Sequence, residues 1–184
     1  MSNKARVLVG SSVAAAGVLA AAGMSLARRH PVGNRNVPQP ATPVELNRYL
    51  GLWYEIARYE QRFELGCEGV TATYSQRADG KIDVVNRCRK PDGQIRQSRG
   101  IAKLVDPVSN AKLKVSFFWP VYGDYWVLDH AEYYSWSIVG EPSGRYLWIL
   151  AREATPSAKE FGQLVRRARA MGYDTSMLLR TVQP

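Results

Sequence analysis

The feature that most constrains the fold is a series of short β-type runs separated by turn signals. Asp-Gly at 79–80 and at 92–93 and Pro-Ser-Gly at 142–144 are typical of tight turns between antiparallel strands. The runs cover residues 52–60, 69–76, 81–88, 94–104, 111–118, 124–129, 134–140 and 145–152. About eight short strands at this spacing predict an antiparallel sandwich or barrel.

The hydrophobic period changes after the last of these runs. Helical spacing then relates Phe161, Leu164, Val165, Ala168 and Met171. This pattern predicts one amphipathic helix, with Thr155 as its N-cap, Pro156 at its first position and Gly172 at its end. The string "MLLRTV" predicts a further short strand after the helix.

Two strands are apolar on both faces, although most strands of a barrel have one face toward the solvent. They are the runs from Leu52 to Ala57 and from Tyr146 to Ala151. A strand covered by a helix must be apolar on both sides. We therefore expect an all-β fold in which the first and last strands are neighbours beneath the helix, as when an eight-stranded up-and-down antiparallel barrel closes.

The N-terminal segment predicts export from the cytoplasm. Residues 7–27 carry no charge and follow Lys4 and Arg6, so residues 1–27 are predicted to be a signal peptide or a membrane anchor. This run has no cysteine for lipid attachment. Four prolines between residues 30 and 43 predict a flexible linker over 28–43, which leaves 44–184 as one domain in the periplasm or cell envelope.

The net charge of +9 is concentrated at the N-terminus. Residues 1–40 hold five basic residues and no acidic ones, so the rest of the chain has 20 basic and 16 acidic residues. This mild excess is scattered and does not predict binding to nucleic acid. The two cysteines, Cys67 and Cys88, flank the hairpin around Gly80, which in an exported domain favours a disulfide over two buried thiols or a metal site.

A family resemblance rests on motifs that occur in order along the body. They are Gly51-Leu52-Trp53 followed by "YEIARYE", then "VTATYS", "DGKIDVVNRCR", "LKVSFFWPVYGDYWVLDH" and "YLWILAR", which ends at Arg152. Over 43–184 the chain resembles the lipocalins, in particular the bacterial branch related to apolipoprotein D. The resemblance implies a calyx-shaped barrel with Arg152 over the ring of Trp53 at the closed end, both in structural roles.

Strand alternation, anchored on these two residues, predicts the inner wall of the barrel. If Trp53 points inward, Ala57 does too, and Leu52 and Ile56 lie under the helix with Leu147 and Ile149. The predicted ligand-binding residues are Ala57, Ala72, Tyr74, Val84, Asn86, Ser98, Val115, Phe117, Trp119, Tyr125, Val127, Tyr146 and Trp148. Apolar walls with sparse polar groups suit a molecule with a long tail and a small polar head.

The resemblance implies binding and transport or storage of small hydrophobic ligands, with fatty acids or lysophospholipids as the leading class. The aromatic and glycine content of loop 119–125 is typical of a mobile rim that could touch a membrane, and equally of an ordinary wide hairpin. Alternatives are a filled barrel that serves as an anchored protein-interaction module, or a lipid-modifying enzyme. No catalytic, metal or cofactor motif occurs, and the neighbours Asp129 and His130 should point to opposite faces. We therefore expect no enzyme and no cofactor, and the oligomeric state is left open.

Overall fold

The computed structural model describes residues 31–184. The predicted signal or anchor at 1–27 and residues 28–30 of the predicted linker lie outside the described residues. In chain order the elements are α1 (Leu46–Tyr49), β1 (Gly51–Tyr59), β2 (Glu68–Gln76), β3 (Ile82–Arg89), β4 (Ile95–Leu104), β5 (Lys112–Phe118), β6 (Val121–His130), β7 (Trp136–Gly140), β8 (Leu147–Ala151), α2 (Ala158–Ala170), a 3-10 turn (Thr175–Met177) and β9 (Leu178–Arg180).

The eight strands β1–β8 form a closed antiparallel barrel in which each strand pairs with its neighbour in the chain. Closure is made by β1, which pairs with β2 on one edge and with β8 on the other. The predicted eight-stranded up-and-down barrel with one outer C-terminal helix is thereby confirmed. The predicted short strand after the helix is β9, which pairs with the upper half of β1.

A bulge in β1 determines which residues face the helix. The register with β8 shifts between Glu55 and Ala57, so Ala57 pairs with Ile149 on the helix side of the sheet. Ile56, Ala57 and Ile149 are buried with Leu164 of α2. The expectation that Ile56 and Ile149 lie beneath the helix is confirmed, and so is that for Leu147, which is buried with Ala168.

Leu52 does not lie under the helix, contrary to the prediction. Its side chain is 42% exposed, because α2 begins only at Ala158 and covers the sheet beside the middle of β1. The N-cap is also different from the predicted Thr155. Ser157 accepts a hydrogen bond from the Glu160 N–H and the Glu160 side chain bonds back to the Ser157 N–H, a capping box that satisfies two free amides of the first turn.

The described part of the predicted linker is attached to the barrel. The N–H groups of Gly33 and Asn34 donate to the carbonyl of Gly144, and the Asn34 side chain donates to the carbonyl of Met171. Gly144 has φ +65°, and a Cβ there would lie 1.7 Å from the Asn34 carbonyl oxygen. This approach therefore requires glycine, and residues 33–34 are docked on the body and not part of a free linker.

Candidate ligand-binding cavity

The barrel encloses a cavity of about 630 Å³ that opens at the end opposite Trp53. The open end carries the loops between β1 and β2, β5 and β6, and β7 and β8, since Phe63, Phe118 and Glu141 of these loops line the cavity. Ten of the predicted ligand-binding residues line it together: Ala72, Tyr74, Val84, Asn86, Ser98, Val115, Phe117, Tyr125, Tyr146 and Trp148. Strand alternation thus brings these side chains to one interior surface.

The other three predicted wall residues lie elsewhere. Ala57 is fully buried beneath the helix, because the bulge in β1 reverses the alternation after Glu55. Val127 is fully buried in the packed cluster that contains Trp53 and fills the closed end. Trp119 is 84% exposed, because β5 ends at Phe118 and the chain turns there toward β6.

The closed end is held by Trp53 and Arg152, as the resemblance implied. The Arg152 guanidinium lies 3.8 Å from the centroid of the Trp53 ring. The same guanidinium donates to the carbonyls of Leu52, Arg48, Tyr49 and Leu50 at the end of α1 and the start of β1. The helix α1 was not predicted, and one turn of helix has too few residues for a periodic signal.

Three tyrosine hydroxyl groups form a network in the lower cavity. The hydroxyl of Tyr125 lies 2.8 Å from that of Tyr49 and 2.9 Å from that of Tyr74, and Tyr49 also contacts Ser137 at 3.3 Å. Burial raises the pKa of Tyr49 to about 12 and raises the pKa values of Tyr74 and Tyr125 as well. The hydroxyls are neutral and bonded to one another, so this part of the wall offers a ligand mainly apolar surface.

A cluster of charged side chains lies higher on the same side of the barrel. Arg58, which is 1% exposed, donates to Glu55 at 2.8 Å and to Glu60 at 3.0 Å. Its Nε lies 3.9 Å from a carboxylate oxygen of Glu64. Thr181, beyond β9, donates to Glu55. Glu55 and Glu64 line the cavity, whereas Arg58 lies behind them.

Glu55 lines the cavity as its parity with Trp53 requires, whereas Glu64 and Arg96 were not predicted from the sequence. Glu64 belongs to the loop between β1 and β2, where strand alternation gives no direction. Arg96 pairs with Cys88 and is two residues before Ser98 on β4, so its parity could have placed it at the cavity mouth. Near them, the Asn86 Oδ1 is buried and has no hydrogen-bond partner within the described part of the chain.

The predicted disulfide joins Cys67 and Cys88, whose Cα atoms are 5.4 Å apart. The register between β2 and β3 shifts between Glu68 and Thr71, and Gly69 there has φ +57°. This bulge reduces the offset between the two cysteines along the strands, although their distances from the hairpin turn differ. The bond ties the loop that carries Glu64 to the wall of the cavity.

Asp129 and His130 do not form a catalytic pair. His130 stacks on the ring of Tyr134 at 4.5 Å and its ring nitrogens contact the carbonyls of Ala131 and Pro43. The Asp129 carboxylate accepts from Arg167 on α2. The two side chains therefore face different partners, as strand alternation predicts. Between residues 31 and 184, no helix has the length and apolar character needed to cross a membrane.

Comparison with known proteins now decides the family. A family model described as a lipocalin-like domain matches residues 44–183. The chain belongs to the lipocalin family. It is 44% identical over 141 residues to the outer membrane lipoprotein Blc of Escherichia coli, covering 76% of this chain and 80% of that one. It is 42% identical over 113 residues to apolipoprotein D of Macaca fascicularis, covering 58% and 59% of the two chains.

A solved structure supports the fold independently. Insecticyanin from the tobacco hornworm Manduca sexta aligns with a TM-score of 0.63 at 21% identity, over 79% of this chain and 85% of that one. The predicted resemblance to the bacterial, apolipoprotein D-like lipocalins is confirmed. Because lipocalins are binding and transport proteins, the expectation of a binding protein and not an enzyme is confirmed by the family match.

Proposed function

We propose that this lipocalin binds a fatty acid or a lysophospholipid and carries or stores it in the bacterial cell envelope. The observation that carries the proposal is the open cavity of about 630 Å³ with aliphatic and aromatic walls. Its volume lies within the range of about 300 to 1,000 Å³ that is usual for small-molecule sites. This open volume favours a carrier over the alternative of a filled barrel that only binds other proteins.

The distribution of polar groups supports one orientation of the ligand. Near the closed end the hydroxyls of Tyr74 and Tyr125 are bonded to each other, so the surface there suits a hydrocarbon tail. Toward the mouth, the wall includes the polar side chains of Asn86, Ser98 and Arg96. A polar head would lie at this level, close to solvent.

The surroundings of the mouth support exchange with a membrane. Phe118 at the end of β5, Trp119 in the turn and Val121 at the start of β6 are 82%, 84% and 71% exposed. Phe63 and Leu65, on the loop between β1 and β2, are 54% and 63% exposed. Apolar side chains grouped around an opening are typical of a surface that touches lipid or a partner, and they extend the predicted rim at 119–125 to a second loop.

The proposed location in the cell envelope rests on three observations. The relatives from Escherichia coli and Vibrio cholerae are named outer membrane lipoproteins. The N-terminal residues 1–27 have the charge pattern of an export signal or anchor. The disulfide between Cys67 and Cys88 also suits an oxidising compartment.

The test is to identify what co-purifies with the full chain. Native mass spectrometry and lipid extraction should find a stoichiometric lipid. After delipidation, oleate and lyso-oleoylphosphatidylethanolamine should change the fluorescence of Trp148, which lines the cavity. A protein that carries no lipid and whose tryptophan fluorescence responds to neither compound would contradict the proposal.

A further inference from the structure

The buried charges beside the cavity are not balanced. Arg58 is the only cation in direct contact with the carboxylates of Glu55, Glu60 and Glu64 among the described residues. The Glu60 side chain is 40% exposed and is therefore stabilised by water, but those of Glu55 and Glu64 are only 3% and 12% exposed. One buried guanidinium thus faces two buried carboxyl groups.

The hydrogen bonds show which of these two carboxyl groups is ionised. Glu55 accepts a charged hydrogen bond from Arg58 at 2.8 Å and a second one from the Thr181 hydroxyl. Both bonds stabilise a carboxylate. Glu64 accepts only one side-chain bond within the described residues, at 3.2 Å from the Trp148 indole nitrogen, and its distance of 3.9 Å from Arg58 is too long for a hydrogen bond.

Burial raises the pKa of Glu55, but the hydrogen bonds from Arg58 and Thr181 oppose this effect. Glu64 is therefore the group that keeps its proton. Burial, followed by the negative charge of Glu55, raises the pKa of Glu64 to about 8. A protonated carboxyl group is a hydrogen-bond donor. Because Glu64 lines the cavity, its O–H faces the space where a ligand would lie.

The groups around Glu64 come from three strands and the neighbouring loop. Glu55 and Arg58 lie on β1, and Glu60 directly follows that strand. Trp148 lies on β8. Tyr146, which directly precedes β8, and Tyr74 on β2 also interact electrostatically with Glu64. Burial raises the pKa values of both tyrosines, so neither competes with Glu64 as the group that ionises near pH 8.

We propose that Glu64 is a specificity-determining residue of the cavity: its protonated carboxyl group donates a hydrogen bond to an acceptor oxygen of the ligand, where the polar head joins the apolar tail. This inference rests on the proposed lipid-binding function. The site takes a hydroxyl group at any pH, because a hydroxyl accepts from the protonated form of Glu64 and donates to the ionised one. It takes an anionic oxygen only while Glu64 keeps its proton, because the ionised form repels that oxygen and offers no donor.

The experiment compares two probes whose own charge does not change with pH. Dodecanesulfonate is permanently anionic and 1-dodecanol is neutral. Their affinities for the delipidated full chain are measured by calorimetry and tryptophan fluorescence at about pH 6.5 and about pH 9.5, on either side of the pKa of about 8. We expect the affinity for the sulfonate to fall at least about tenfold between the two. The affinity for the alcohol should change by less than about threefold, since its O–H can donate to the ionised Glu64.

Two variants assign the effect to this residue. Glu64→Gln keeps an N–H donor at every pH, so its affinity for the sulfonate should be the same at both pH values, within about threefold of the wild-type value at the lower pH. Glu68→Gln is the matched control, because Glu68 is exposed at the start of β2 and does not line the cavity. The control should keep the wild-type fall in affinity.

Several outcomes would overturn the inference. They are a sulfonate affinity that is equal at both pH values in the wild type, or a fall that persists in Glu64→Gln. If Glu64→Gln does not fold by circular dichroism, the comparison of the two probes on the wild type decides alone. Failure of both probes to bind at either pH would contradict the proposed function itself, whereas binding without pH dependence contradicts only the role of Glu64.

Discussion

The closed end of the barrel offers the sharpest prediction of stability, through Arg152. In the wild type, the hydrogen bonds from Arg152 to the carbonyls of Arg48 and Leu52 are exposed, so water replaces them in Arg152→Ala. The Tyr49 carbonyl keeps the hydrogen bond from the Trp53 indole at 2.7 Å. The carbonyl of Leu50, in a half-buried bond at 2.8 Å, loses its partner, which costs about 1 to 3 kcal/mol.

The contact between Arg152 and the Trp53 ring, at 3.8 Å from the centroid, is lost as well. Such a contact contributes about 0.5 to 2 kcal/mol. We therefore expect the free energy of unfolding to fall by about 2 to 4 kcal/mol in Arg152→Ala. Arg152→Lys should recover about half of this loss, since an ammonium group can lie over the ring but cannot bond four carbonyls at once.

Urea denaturation followed by tryptophan fluorescence and circular dichroism measures both variants. Because Arg152 does not line the barrel cavity, the affinity of the folded variants for oleate should equal that of the wild type. A loss below about 1 kcal/mol in Arg152→Ala would refute the reasoning about the Leu50 carbonyl. Weaker oleate binding by a fully folded Arg152→Lys would refute the separation of the closed end from the ligand.

Three further predictions test the wall, the buried carboxyl group and the disulfide. Val115→Arg should abolish oleate binding, measured by calorimetry, because a charge would project into the cavity, whereas Val108→Arg, at a position that is 90% exposed, should not. Since the pKa of Glu64 is about 8 in the folded protein and 4.5 ordinarily, wild-type stability should fall as pH rises between these values; Glu64→Gln should remove the part of that fall that comes from Glu64 and be more stable than the wild type by about 2 to 4 kcal/mol at alkaline pH in urea titrations. Cys88→Ser should lose about 3 kcal/mol of stability, and reducing the wild type should give the same loss; an unchanged urea midpoint after reduction would contradict this role of the bond to Cys67.

Much of the cavity wall could be predicted because alternation is a local property of a strand. Val115 and Phe117 on β5, and Tyr146 and Trp148 at β8, line the cavity as their parity requires. Their direction depends on backbone pleating and not on distant contacts. Whether these residues bind a ligand remains a prediction for the experiments above.

The incorrect predictions of side-chain direction occur where contacts between distant parts of the chain change the alternation along a strand. Ala57 has the predicted parity in the sequence, yet the bulge at Ile56 turns it toward the helix. On the edge away from β8, β1 pairs with β2 over its first four residues and with β9 over its last three, and the bulge lies between these two stretches. Nothing within the sequence of β1 specifies that arrangement.

By itself, the sequence determined the number and order of the strands, the outer helix and the apolar lining, because the periods of hydrophobic residues and the turn signals are local and repeated. Only the tertiary structure decided the polar chemistry of the cavity. The loop that carries Glu64 is tied to the wall by the disulfide of Cys67, and Arg58 reaches the carboxyl groups from behind. The charged residues lie close together in the sequence, between 55 and 64, but Thr181 and Trp148, which bond to Glu55 and Glu64, are distant in the chain. The energies of buried charges depend on such neighbours and on the exclusion of water.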